Sequence, residues 1–474
     1  MSRIILPAAA ILTILAFRYP DRALFHEWPQ HVPVKKGFPI VGSLPYIRKN
    51  KERIHDFIMG VFAELDTMTF AISSLGIPQR IITIDPRNVE HILKDNFENY
   101  VKGSHSIELT KDLLGDGIFN ANGEHWSVFV EELQTISHYV LDKNKVVDFH
   151  DLMYKFTLES FVRIGFGVQL NIACSQEAVP FAVSFDALQC NSMARGLNPL
   201  WRLTEKLGWG RGPTIQDHTD TVNNFAANII KQRRDHIAQG EEYHDLLSRF
   251  MQARNENKEQ LDDAELRDVI LNFIIAGRDT TAQALSWTFY NLMLHPRVQD
   301  KLLKEIHQKM PVDIENTDAA SLFETIKNMT YAHAVFYEIL RLHPPVPGNV
   351  RCALRDDTLP DGTPVKKGDE VSWNSYSLGR SEKIWGENAK QFYPERWINS
   401  DGSLRRESQG QWPVFHAGPR ICLGQNLATL EALIAITYLL KQYKFSLVPG
   451  QDITYQLSLT LPMKNGVKMC VERR

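Results

Sequence analysis

The chain has 474 residues, 43% of them hydrophobic and 23% charged, an ordinary globular balance that can bury a large core. A net charge of −3 gives no electrostatic reason to expect nucleic-acid binding. The five cysteines (Cys174, Cys190, Cys352, Cys422, Cys470) are odd in number and scattered, which excludes a disulfide framework and favours a reducing compartment.

Ile4 to Phe17 is an uncharged apolar run interrupted only by Pro7 and Thr13. Against the roughly 20 residues of a full membrane crossing it is short, so a buried helix or the core of a signal peptide competes with an anchor. No clean small-x-small cleavage site precedes Arg18, and Arg18, Arg22, Lys35 and Lys36 gather on the C-terminal flank, which a positive-inside bias keeps in the cytosol. Pro29, Pro33, Gly37, Pro39 and Gly42 then read as a stiff connector. The expected plan is a short anchor over 1–20, a connector over 21–45 and one domain over 46–474. No Pro/Gly/Ser-rich linker, low-complexity tract or internal repeat divides that domain.

Two β-branched runs, Met68 to Ser73 and Arg80 to Ile84, are separated by Gly76 and Pro78 and predict a hairpin. Beyond Asp85-Pro86 helical periodicity dominates, with further strand-like pieces at Glu370 to Trp373, Thr454 to Leu459 and Val467 to Val471. The fold class is mainly α with small peripheral β-sheets. The most informative helix is expected from Leu261 to His295, with Asp262 and Asp263 able to cap its start and Pro296 ending it. At roughly 50 Å it must cross the whole domain. Apolar stretches on both sides of Ala276-Gly277-Arg278-Asp279-Thr280-Thr281 make it central, and that break puts a glycine and an acid into a buried helix. Each is costly there. Taken alone, the break reads equally as a packing notch with a satisfied acid.

The strongest motif is Phe415-His-Ala-Gly418-Pro-Arg420-Ile-Cys422-Leu-Gly424. A thiolate ligand to heme iron needs a cysteine on a stiff loop with backbone N–H groups aimed at the sulfur. Gly418 and Gly424 permit the turn and a close backbone approach. Arg420 can reach a propionate as a charge-assisted pair, and Phe415 is placed to cover the sulfur. The apolar-periodic helix from Gln425 to Leu440 would put the sulfur just before a helix N-terminus. The competing reading of a single cysteine, a buried free thiol, does not account for five fixed residues in ten.

This segment resembles the heme-binding loop of the cytochrome P-450 family, F-x-x-G-x-R-x-C-x-G. Glu338-Ile-Leu-Arg341 is similar to the family's E-x-x-R helix, and Pro394-Glu-Arg396-Trp397 to its P-E-R-F/W segment, both in the expected order. The resemblance spans roughly residues 37–474. It implies a cytochrome P-450 fold with heme b between the long central helix and the cysteine loop, and Cys422 as axial ligand to the iron. It implies Glu338, Arg341 and Arg396 as a brace for the loop and Arg351, after the Pro344-Pro-Val-Pro347 turn, as a propionate contact. Ala276 and Gly277 would let the helix approach the porphyrin, and Asp279 and Thr280 would guide protons and water for oxygen activation. No flavin or nicotinamide domain follows, so electrons are expected from NADPH through a separate NADPH-cytochrome P-450 reductase, with cytochrome b5 as an additional partner. The implied location is the endoplasmic reticulum membrane, the domain facing the cytosol.

One segment departs from the pattern. Related eukaryotic members carry Trp126 in a G-x-x-W helix with an arginine four residues on, both contacting propionates. Here Val130 holds that position, Glu131 and Glu132 follow, and no Lys or Arg occurs until Lys143. Either another group anchors the propionate, His125 being a candidate, or the stretch is a faulty join. A loosely held heme is expected, with added repulsion if the glutamates face it.

For substrate, the resemblance places the region before Trp126, the long helix near Asn272, Phe273 and Ala276, the Val346–Val350 turn and Leu459 to Leu461 around the pocket, largely apolar as an oily substrate requires. Asp85 to Leu93, Asp112 to Phe119, Ala276 to Thr281 with Trp287 to Phe289, and Leu459 to Met463 look most like fatty-acid and alkane hydroxylases of the family. That implies (sub)terminal hydroxylation. A terpenoid or polyketide substrate is the alternative within the family, and a non-oxygenating heme-thiolate protein the alternative outside it.

Overall fold

The turn at Gly76 adopts φ +74°, a conformation that costs glycine nothing, and it closes the expected hairpin. The structure, a computed structural model, describes residues 2–474 except 106–107, 110–125, 139–141, 143–144, 174, 176, 208–212, 244, 255–258, 312–316 and 318. Strands β1 (Val34–Lys35), β2 (Thr69–Ser74), β3 (Ile77–Thr83), β4 (Tyr100–Val101), β5 (Asn349–Ala353) and β6 (Glu370–Trp373) form one mixed sheet in the order β1-β2-β3-β6-β5-β4. A three-stranded sheet joins Tyr443–Leu447, Lys468–Arg473 and Val146–Asp148. Both sheets lie beside a much larger helical body.

Thr454 to Leu459, expected as a strand, is instead a loop that carries a single bridge between Tyr455 and Met463. The buried Tyr455 explains it. Its hydroxyl donates to Asp56 of the helix Ile54–Glu64 at 2.9 Å, tying the segment to that helix.

Helix α1 (Ser2–Arg18) covers the apolar N-terminal run. Its 17 residues span about 26 Å by helical rise, and among the described residues no helix is long and apolar enough to cross a membrane. Helices α2 (Trp126–Ile136), α3 (Phe149–Phe166) and α4 (Pro180–Leu197) precede the long helix. The long helix runs Asp263–Ile274, passes through a π-turn at Ile275–Asp279 and continues as Thr280–Leu294. Asp262 and Glu265 form a reciprocal capping box at its start. Two further helices, α5 (Thr330–Leu342) and α6 (Gln425–Gln442), complete the frame of the site. Every residue of α6 from Thr429 to Leu440 is buried, so it is apolar all round and runs through the interior. The main core joins α2, α3, the second half of the long helix, α5 and α6.

Candidate active site

The cysteine loop is tightened from within. Pro413–Phe415 forms one turn of 3-10 helix and Gly418–Arg420 another. The Cys422 N–H donates to the Phe415 carbonyl at 2.8 Å, closing the loop on itself. Phe415 is half-buried and meets Trp412 edge-on at 5.7 Å. Gly418 has φ +59°, and a Cβ there would lie 2.3 Å from the Leu93 carbonyl oxygen, so no other residue fits. Gly424 is the N-cap of α6 and its N–H points at the Cys422 sulfur. Cys422 is open to solvent, but protein surrounds it on most sides. That desolvation raises the thiol above its ordinary value, and the Gly424 N–H pulls it partly back.

Glu338 and Arg341 come together fully buried, with Arg396 beside them and nearly so. The Arg341 guanidinium donates to both Glu338 oxygens at 2.8 Å, and Arg396 Nε donates to the same carboxylate at 3.1 Å. The Tyr393 N–H (2.8 Å) and the Trp397 Nε1–H (3.0 Å) complete the set of donors to it. Arg341 also donates to the carbonyls of Gly379, Ala389 and Gln391. A buried carboxylate with this many donors loses little by leaving water. The cluster locks α5 to the Pro394–Trp397 turn, and Trp397 meets Trp412 at 5.2 Å, just ahead of the cysteine loop.

At the break in the long helix, two hydroxyls take up carbonyls that the π-turn displaces. Thr280 Oγ1 donates to the Ala276 carbonyl at 2.6 Å, and Thr157 Oγ1 of α3 donates to that of Arg278 at 2.9 Å. Asp279 is fully buried and accepts from Gln189 Nε2 of α4 at 2.6 Å and from Arg278 Nη1 at 2.9 Å. Burial raises its pKa to about 7, against the pull of the Arg278 charge. Arg278, itself buried, also pairs with Asp186 at 2.7 Å and lies over the Tyr154 ring at 4.4 Å. Gly277 lies against α3. A Cβ there would lie 2.1 Å from the Phe161 ring of α3, so what its missing side chain admits is that ring. Ala276 and Thr280, one helical turn apart, are half-buried on the open face.

A model of the cytochrome P450 family matches residues 128–470. The chain belongs to the cytochrome P450 family. It is 32% identical to cytochrome P450 704B1 of Arabidopsis thaliana, over 98% of this chain and 100% of that protein. It is 34% identical to cytochrome P450 704C1 of Pinus taeda, over 93% of each. It is also 32% identical to the cytochrome P450 monooxygenase cyp1 of Mycosarcoma maydis, over 95% of this chain and 77% of that protein. The chain is thus a P450 monooxygenase, and the family implies heme.

The residues of this P450 fit that group. Arg351 of β5, Arg420 of the loop and Lys102, just past β4, lie near one another: burial lowers the lysine's pKa most, and the two arginine charges lower it further. None of the three forms an ion pair with a carboxylate among the described residues, so the cluster is built for a ligand that brings its own negative charge. Burial and the neighbouring Arg420 lower Arg351 to about 10. Beside Cys422, Ile421 and Leu423 expose apolar side chains, as a flat hydrophobic macrocycle requires. Cys422 would hold the iron as a thiolate. When bound, heme supplies the site for activating dioxygen.

The anomalous helix α2 takes a definite form. Val130 is buried in the main core with Phe129, Leu133 and Ile136. Glu131 and Glu132 turn to Arg163 of α3, at 2.5 and 3.1 Å, and so are spoken for by a cation. Trp126 begins the helix, but its side chain, and His125 with the whole 110–125 stretch, lie outside the described residues. Sequence reasoning passed over Lys102, Gln189 and Arg278. Arg278 had a signal, a cation inside a buried helix. Lys102 and Gln189 had none, since their partners are remote in sequence.

Proposed function

We propose that this P450 hydroxylates fatty acids or alkanes at or near the methyl end. The observation that carries the reading is the division of the π-turn into two faces. Arg278 and Asp279 are buried on one side, whereas Ile275, Ala276 and Thr280 are half-buried on the other. Ile275, Leu459 and Phe161 pack against the buried cluster that contains Phe273, and the Phe161 and Phe273 rings stack at 6.4 Å. A chain held along such a surface meets no charge, and positioning then selects the bond that is attacked. Leu461 takes no part, because it is fully buried with its N–H and C=O engaged by Gln283 and Trp287. The resemblance of Asp85 to Leu93 and Leu459 to Met463 to fatty-acid hydroxylases points the same way.

In this reading Cys422 ligates the iron of heme b, and Arg351, Arg420 and Trp126 hold its propionates. Asp279 and Thr280 handle protons on the far side. Electrons come from NADPH through a separate NADPH-cytochrome P-450 reductase, with cytochrome b5 as a further donor. Helix α1 fastens the protein to the endoplasmic reticulum membrane, the domain facing the cytosol. Reconstitution with reductase in phospholipid vesicles and incubation with acids of twelve to eighteen carbons should yield terminal or near-terminal alcohols. Absence of any oxidised acid, with turnover of a terpenoid or polyketide instead, would overturn the substrate reading.

A further inference from the structure

The P450 lacks an arginine four residues after Trp126, and the position is closed to one, since Val130 is packed into the core. A propionate at this end of the site therefore needs another cation. We propose that Lys102 is that cation, a heme-anchoring residue that reaches the propionates beside Arg351 and Arg420.

The backbone puts it there. Strands β4 and β5 pair antiparallel with Tyr100 opposite Ala353 and Val101 opposite Cys352. One step further along this register, Lys102 faces Arg351, and residues directly opposite in an antiparallel pair project to the same side. Strand β4 ends at Val101, but the chain remains beside β5. Gly103 stays so close that a Cβ on it would lie 2.9 Å from Cys352 Cβ, which keeps Lys102 held from both sides. The Arg351 guanidinium in turn lies over the Trp373 ring at 5.5 Å, and Trp373 meets His416 of the cysteine loop at 5.8 Å. Lys102, Arg351 and the loop thus converge on one end of the site.

Three cations in proximity with no carboxylate between them repel one another. Such an arrangement is stable only with an anion among them, and a dicarboxylate macrocycle is the anion this family implies. His416 does not supply the missing charge, because burial together with Arg351 and Lys102 lowers it to about 4. A lysine suits the place, since its ammonium is a compact point charge on a flexible stem and needs no fixed planar approach.

The test uses the ferric holoprotein and two hemes. With ordinary heme, Lys102→Met should transfer heme to a scavenging apoglobin about tenfold faster than the parent, the loss of one charge-assisted hydrogen bond, and Lys102→Arg should restore slow transfer. With heme dimethyl ester, whose propionates carry no charge, the parent and Lys102→Met should release it at the same rate. Equal transfer of ordinary heme by parent and Lys102→Met would overturn the proposal. So would a difference that persists undiminished with the ester, which would mark a packing defect. If Lys102→Met cannot be obtained folded, Lys102→Gln is compared with the parent at low and high ionic strength. A difference between the two that shrinks with salt supports the charge contact, and one that does not shrink overturns it.

Discussion

Gln189 of α4 donates its side-chain amide to the buried carboxyl of Asp279 at 2.6 Å, tying α4 to the long helix at the one turn where that helix is broken. The carboxyl is therefore held by two donors, Gln189 and Arg278, while its surroundings lift its pKa to about 7. A raised carboxyl is protonated below that value and can hand a proton on. Above it the carboxyl is a charge pinned by Arg278 and has no proton to give. Product formed per NADPH should accordingly fall as pH rises through about 7. In Asp279→Asn it should be low at every pH, while heme content and substrate binding stay unchanged. Gln189→Leu should shift the pH midpoint upward, because it removes a hydrogen bond that favours the ionised form. Identical coupling in parent and Asp279→Asn would place the proton source elsewhere.

Thr280 should act with Asp279. Its hydroxyl is hydrogen-bonded to Ala276, so Thr280→Ala frees a backbone carbonyl in the π-turn and removes a proton-bearing group from the open face. The expected outcome is electron flow diverted to peroxide with binding intact, read as hydrogen peroxide per NADPH. Full coupling in Thr280→Ala would leave the hydroxyl a purely structural role.

Cys422→Ala should abolish the red-shifted Soret band of the reduced carbon monoxide complex. Cys190, Cys352 and Cys470 are unpaired thiols away from the loop, and their replacement should leave the spectrum as it was. Persistence of the band in Cys422→Ala would refute the ligand assignment.

Glu338 is the keystone of the buried brace, with five donors converging on it. Removing it strands two buried guanidinium groups, a change that costs about 3–5 kcal/mol. Glu338→Ala should therefore lower stability by that order in denaturant titration and reduce heme content as well. Arg396→Ala should cost less, because Arg341 still pairs with the carboxylate. A Glu338→Ala variant as stable as the parent would show that the brace holds nothing.

What the sequence made legible follows local signals. The hairpin, the capped start of the long helix and the loop before α6 each depend on turn chemistry, capping and periodicity within a few residues. The site's residue types were legible through their spacing. Their partners were not, because Gln189 and Asp279 are 90 residues apart and Arg163 meets Glu131 across two helices. Gly277 shows the limit well. Its small size was evident, but only packing reveals that Phe161 fills the space. Thr454 to Leu459 alternates like a strand, and tertiary contacts at Tyr455 override that pattern.

Val130 separates sequence reasoning from structure in an experiment. By family pattern an arginine at that position should tighten heme binding. Packed as it is among Phe129, Leu133 and Ile136, Val130→Arg instead forces a cation into an apolar core. The substitution should lower thermal stability and heme occupancy together. A variant that folds as well as the parent and retains heme longer would show that α2 can rotate to present this position to the site.

Glu431 of α6 supplies the last test, and one independent of heme chemistry. It is buried among α3, α6 and the long helix, where the Ser160 hydroxyl donates to it at 3.0 Å. Burial raises it from 4.5 to about 8, only partly offset by neighbouring hydroxyls. The folded chain thus keeps a proton that the unfolded chain releases across the window between those two values. Since the native state binds more protons there, stability falls as pH rises through the window, by at most about 1.4 kcal/mol per pH unit. Below 4.5 both states are protonated and the effect vanishes; above about 8 the loss is complete. Glu431→Gln keeps the shape and an acceptor for Ser160 but has no proton to lose. Denaturant midpoints of the two proteins should lie close together at pH 5 and separate steadily toward pH 8, with the glutamine variant the more stable. Parallel pH profiles would mean that Glu431 is ionised in the fold and that a compensating cation has been overlooked.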